Sequence, residues 1–196
     1  IGDIKKVRQR WIEEASTLAE KNPKEGVRTP DQRFKGLRKF WQKLRESESL
    51  IKQNPKERLR LQREIFFKPL CDVLGYKFEV KTESVLIGDN PYQIPLIGEV
   101  KNSKGEPNLW LVECFNPSNE DIDPLELNIL DLSGCQISDR SLGQVSESET
   151  WEMLIGEKIF GQELPPRWVI AISRDHLILI DRQKWSSSRM LRFDLN

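Results

Sequence analysis

The sequence predicts an α/β fold of the α+β kind, with N-terminal helices followed by a mixed central sheet flanked by helices. Three observations carry the prediction. Apolar residues recur at spacings of three and four through residues 3–74, and after Gly75 the period falls to two. Farther on, Leu109–Phe115, Arg167–Ser173 and His176–Asp181 are nearly continuous apolar runs of strand length, as in strands covered on both faces.

The first predicted helix runs from Asp3 to about Lys21, with Ile4, Val7, Trp11, Ala15 and Leu18 on one face, and Asn22-Pro23 ends it. Residues 23–30 read as loop. In the second helix Phe34, Leu37, Trp41 and Leu44 form one stripe, while Lys35, Arg38, Lys39, Lys43 and Arg45 make it the most basic helix of the chain. At that spacing Trp11, Phe34 and Trp41 read as core, and Phe40, off the stripe, as exposed.

Asn54-Pro55-Lys56-Glu57 combines an N-cap side chain, a proline whose missing N–H is harmless in the first turn, and an early glutamate, so a helix starts there. Leu61, Ile65, Phe66, Leu70, Val73 and Leu74 supply its buried face, Gly75 its stop and Pro69 a kink. Tyr76, Phe78 and Val80 alternate with charged residues and predict a strand directly after Gly75. A turn at Gly88-Asp89-Asn90-Pro91 leads into a strand over Ile94–Val100, and Asn102–Gly105 turns the chain into Leu109–Phe115.

Residues 116–148 are polar and turn-rich, and predict a surface excursion with a short strand or turn around Leu127–Leu132. A short helix over Thr150–Phe160, closed by Gly161, precedes the hairpin made by the last two apolar runs about Arg174-Asp175; a final strand is expected over Leu191–Leu195.

A length of 196 residues suits one good-sized domain plus an appendage. With 37% hydrophobic residues, six Trp and eight Phe, wholesale disorder is excluded. No apolar run approaches the roughly 20 residues a membrane span needs, and no leader pattern opens the chain, so a soluble, cytoplasmic protein with no membrane partner is expected. Cys71, Cys114 and Cys135 are too few and too scattered for a disulfide framework or a zinc site. A start at Ile1 and an end just past a strand-like stretch suggest a domain excised from a longer protein.

The net charge of zero conceals a segregation. Residues 1–70 hold 19 Lys+Arg against 10 Asp+Glu, and residues 71–196 hold 12 against 21. Either the basic part offers a face for nucleic acid, or its helices dock on the acidic part or are simply solvated. The organisation read from this is a basic helical segment over 1–54 and an α/β domain over 55–196.

Few residues point to chemistry. His176 is the only histidine and sits at the mouth of a hairpin, where an exposed turn residue is the simpler reading than a catalytic one. Phosphate-binding glycine loops and nucleotide motifs are absent. Glu113 stands out as the single charge inside a strand-like apolar run; burial obliges it to have a cation or a metal beside it, with Arg167 one candidate.

The helix–strand–strand–strand order with Glu113 inside the third strand resembles the PD-(D/E)XK nuclease core. In that family an acid ending the second strand and a Glu-x-Lys triplet on the third hold Mg²⁺ and activate water. Here Pro95-Leu96 stands where Pro-Asp would be, and Glu113-Cys114-Phe115 where Glu-x-Lys would be, so only Glu113 matches. The resemblance implies Glu113 and Glu99 as candidate metal ligands, with Glu106 a poorer substitute for Glu99 and Glu64 an accessory acid. Lys101 or Lys81 would be a migrated lysine.

A longer resemblance covers roughly residues 55–196, through Lys68-Pro-Leu-Cys-Asp-Val-Leu-Gly-Tyr76, Pro107-Asn-Leu-Trp-Leu-Val-Glu113, Pro166-Arg-Trp-Val-Ile-Ala-Ile172, Leu179-Ile-Asp-Arg-Gln-Lys-Trp185 and Leu191-Arg-Phe-Asp-Leu195. It looks like the N-terminal region of large adenine-specific DNA methyltransferases of restriction-modification and phage-defence systems, the type IIG-like enzymes included. What it implies is a DNA-associated, nuclease-like domain with a degenerate site. Double-stranded DNA would be touched by Lys35, Arg38, Lys39, Lys43 and Arg45. Two alternatives stay open: a scaffold that docks the parent enzyme to partner subunits, and an active Mg²⁺-dependent endonuclease.

Overall fold

The computed structural model describes residues 4–21, 28–51, 54–118, 120–129, 131 and 149–195. Helix α1 (Ile4–Lys21) has the expected extent, with Val7, Ile12 and Leu18 left exposed; Asn22-Pro23, its expected stop, lies outside the described residues, as does Cys135. The expected second helix is divided into α2 (Pro30–Lys35) and α3 (Arg38–Leu50). That break at Gly36-Leu37 changes the helical phase. Leu37 and Leu44 are buried and Trp41 packs against them, but Phe34 falls off the stripe and is 43% exposed, while Phe40 turns inward to pack on the core. Both aromatic assignments are thus reversed, because the stripe assumed one unbroken helix.

Asn54 caps α4 (Pro55–Leu61) by accepting a hydrogen bond from the Glu57 N–H. Without a break, α4 runs into a π-helical stretch (Gln62–Phe67) and then α5 (Lys68–Leu74). The kink expected at Pro69 takes this form: proline has no N–H for the carbonyl four residues back and its ring crowds that carbonyl, and a widened turn just before it relieves both. Gly75 ends the helix at φ 81°, and Tyr76 donates back to the Cys71 carbonyl.

The strand expected directly after Gly75 does not form: residues 76–80 lie outside both sheets, held by the Glu79 N–H on the Ile97 carbonyl, and the first strand begins at Lys81. Strands β1 (Lys81–Ile87) and β2 (Asn90–Leu96) form an antiparallel hairpin about Gly88-Asp89. After Ile97 the chain enters a second sheet through β3 (Gly98–Lys101), turns over 102–105, and continues in β4 (Pro107–Glu113). Later come β5 (Trp168–Ile172), β6 (His176–Asp181) and β7 (Met190–Asp194), giving the order β3-β4-β5-β6-β7. Only β4 and β5 are parallel; the other neighbours are antiparallel. Their crossover holds α6 (Trp151–Met153), capped by Thr150, and a second π-helical stretch (Leu154–Ile159). A short α7 (Arg182–Trp185) joins β6 to β7.

Alternation along the strands fixes the layers. On one face Leu109, Leu111, Ile170, Ile172 and Leu177 meet Leu37, Leu44, Phe66, Phe67 and Leu70. On the other, Trp110, Val112, Val169, Ala171 and Ile178 meet Trp151, Leu154 and Ile155. Because Leu37 and Leu44 share a cluster with the sheet, the turn after α2 and α3 itself pack into its core. The segment expected as a surface excursion also contributes: Leu125, Leu127 and Ile129 are buried, and Asn128 bridges Thr150. Leu132 lies outside the described residues, among which no helix is long and apolar enough to cross a membrane.

Candidate functional site

Glu113 is the last residue of β4 and is 1% exposed. By strand alternation it faces the side of Leu109 and Leu111, toward the long helix. From the π-helical stretch Arg63 reaches down, and its Nε and Nη2 both donate to Glu113 Oε2, at 2.8 and 2.6 Å. The cation that burial demanded is therefore Arg63 and not Arg167, which pairs instead with Asp181 across β5 and β6. Behind the pair lies Cys71, whose thiol is pushed up to about 12 by burial and, secondarily, by the Glu113 charge. A thiol so placed is a core group with little nucleophilic character.

The other residues expected at a metal centre lie elsewhere. Glu99, on β3, is paired with Trp110 in register and accepts a hydrogen bond from its indole Nε1 at 3.2 Å. Trp110 belongs to the opposite face, so Glu99 and Glu113 sit on opposite sides of the sheet. Lys81 binds the Glu99 carboxylate, with Lys101 3.7 Å away, so both candidate lysines serve Glu99 rather than Glu113. Burial, the largest single influence, raises the Glu99 pKa, but the bonds from Lys81 and Trp110 outweigh it and hold it below the ordinary carboxylate value. Glu106 is bound by Asn102 in the exposed turn, and Glu64 is exposed on the helix.

This arrangement does not fit a magnesium ion at Glu113. Hard divalent cations take several oxygen ligands, whereas here a guanidinium holds the carboxylate, the second acid faces away, and Phe115 is buried where a lysine would stand. Among the described residues no group of three or more His, Cys, Asp or Glu side chains is placed to hold a metal.

Further polar contacts fasten the long helix beside this pair. Arg58, itself buried, donates to the carbonyls of Pro117 and Ser118 at 2.8 and 3.1 Å, and buried Gln62 donates to Glu48, which faces Arg174 at 3.6 Å. His176 is the first residue of β6, half-buried just past the turn from β5, where its N–H meets Ser173 Oγ.

The five candidate DNA contacts Lys35, Arg38, Lys39, Lys43 and Arg45 are all exposed, and Arg45 in addition lies 5.0 Å over the Trp41 ring and 3.7 Å from Asp175. Arg63 was legible only as a requirement: a helical arginine is ordinarily solvated, and nothing local in the sequence distinguishes it from Arg60. None of the family models, curated proteins or solved structures compared with the chain matches it.

Proposed function

We propose that this chain is a DNA-contacting domain with a nuclease-like but catalytically silent core, of the kind that precedes the methyltransferase in large restriction-modification and phage-defence enzymes. The observation that carries the reading is the Arg63 guanidinium on Glu113, a fixed cation where a metal-dependent nuclease would keep its ion. Part of the element order supports it as well: after the helix and the separate β1–β2 hairpin come two antiparallel neighbours, β3 and β4, a helical crossover, then β5 parallel to β4. With its charge already answered by Arg63, the Glu113 carboxylate is taken up by a guanidinium rather than left to hold a metal and activate water. Contact with duplex DNA falls to the exposed cations Lys35, Arg38, Lys39 and Lys43.

Incubation with supercoiled plasmid tests the reading. Bound but intact DNA in Mg²⁺ and in Mn²⁺ is the expected result; cleavage abolished by Glu113→Gln would establish an active endonuclease instead. A docking role toward partner subunits draws on one observation, the exposed Val7, Ile12 and Leu18 of α1. Loss of a co-purifying subunit on removal of residues 1–21, with DNA affinity unchanged, would favour it.

A further inference from the structure

Two cavities open on the helical face and meet at Glu64 and Phe78. One, of about 690 Å³, lies between α2, the start of α3, α5 and residues 76–78; the other, of about 400 Å³, continues it along α4 to Lys56. The first lies within the range of roughly 300–1,000 Å³ common for ligand pockets. Among the described residues Glu64 and Asp72 are the only acids lining the joined groove, against eight Lys and Arg. Four of these cations, Arg33, Arg60, Arg63 and Lys77, are engaged with carboxylates. The rest, Arg28, Lys39, Lys56 and Lys68, have no carboxylate partner among the described residues, and they are spread from one end of the groove to the other.

Between them Phe40, Tyr76 and Phe78 are set into the walls, each half-buried, with Lys39 Nζ 4.9 Å from the Phe40 ring. Cations alone would suit any polyanion. Half-buried rings together with cations that have no carboxylate partner, lining one concave groove, suit unstacked bases joined by phosphates, which a duplex cannot present because its base faces are closed in its own stack.

We propose that this groove binds a single strand of DNA, its phosphates on Arg28, Lys39, Lys68 and Lys56 and its bases on the three rings. The inference rests on the DNA-contacting reading above and adds a site to it that shares Lys39 with the exposed cations of α3.

Fluorescence anisotropy on the 196-residue chain, with a labelled oligothymidylate of about twenty nucleotides and a duplex of equal length, tests it. Expected are single-strand binding by the parent chain, about a hundredfold loss in Lys39→Glu/Lys68→Glu, and a salt dependence shallower by roughly 1.4, from about 0.7 per lost phosphate contact. Phe78→Ala should weaken the strand by about tenfold with its salt slope unchanged, and Lys104→Glu, in the β3–β4 turn, should change neither. Circular dichroism melting verifies that each variant is folded. The groove assignment is overturned if the strand fails to bind at low salt while the duplex binds, if Lys104→Glu costs as much as the double variant, or if polyglutamate displaces the strand at equal charge concentration. Loss of both probes from the parent chain overturns the DNA-contacting reading itself.

Discussion

Glu113 and Arg63 show how one buried carboxylate constrains its surroundings. Taking both charges out of water costs several kcal/mol per ion, repaid only while the pair stays intact. Arg63→Ala should therefore destabilise the fold by about 3–5 kcal/mol in urea unfolding, while Arg63→Met/Glu113→Leu should recover most of the loss. If the double variant is as unstable as the single, the pair has a role beyond mutual neutralisation. Glu99 makes a second residue-scale prediction. Its pKa in the folded chain lies below the ordinary 4.5, so its pairing with Lys81 and Trp110 contributes stability fully present above that value and lost as pH falls through the lowered one. Urea midpoints of the parent chain and Glu99→Gln should differ at neutral pH and converge at strongly acid pH. Glu113 announced itself by being the lone charge in an apolar run; the identity of its partner required the fold, since Arg63 and Glu113 are fifty positions apart.

At the scale of elements, two glycines end helices for different reasons. Gly75 stands at φ 81° with open space where a Cβ would go, so Gly75→Ala incurs only the left-handed backbone cost of about 1–2 kcal/mol. Asn, which tolerates that conformation, should restore part of it. At Gly161 a Cβ would run into the Glu157 carbonyl oxygen, a backbone atom that cannot rotate aside. Gly161→Ala must then move the helix end, at roughly 1–3 kcal/mol, and Asn there should be no better than Ala; thermal melting of the four variants separates the cases. Elements with local signals were legible, among them the Asn54 cap, the Gly88-Asp89 turn and the hairpin about Arg174-Asp175. Residues 76–80 were misassigned because alternation reports which side chains face a core, and Tyr76 and Phe78 do face one, without reporting whether the backbone has a neighbouring strand.

Over the whole molecule, the charge segregation is resolved in two ways at once. Part of the basic half is drawn onto the acidic half through Arg45–Asp175 and Arg63–Glu113, with Arg58 fastened to the carbonyls after β4. The remainder, including Lys35, Arg38 and Lys43, faces outward. Duplex affinity should fall linearly on a log–log plot against salt, and Lys35→Glu/Lys43→Glu should make that line shallower by roughly 1.8, from about 0.9 per phosphate contact. An unchanged slope would place the duplex elsewhere on the molecule.

Read alone, the sequence determined the class of the fold, the approximate place of most helices and of strands β4 to β7, and the requirement that Glu113 have a positive neighbour, because periodicity, capping and the cost of burying charge act over a few residues. The tertiary structure decided which face of the sheet each acid occupies, which arginine answers Glu113, and that Phe40, Tyr76 and Phe78 share a groove with lysines from separate helices. Those outcomes depend on strand register and on a break in helical phase at Gly36-Leu37, and a one-residue change in either moves a side chain to another surface.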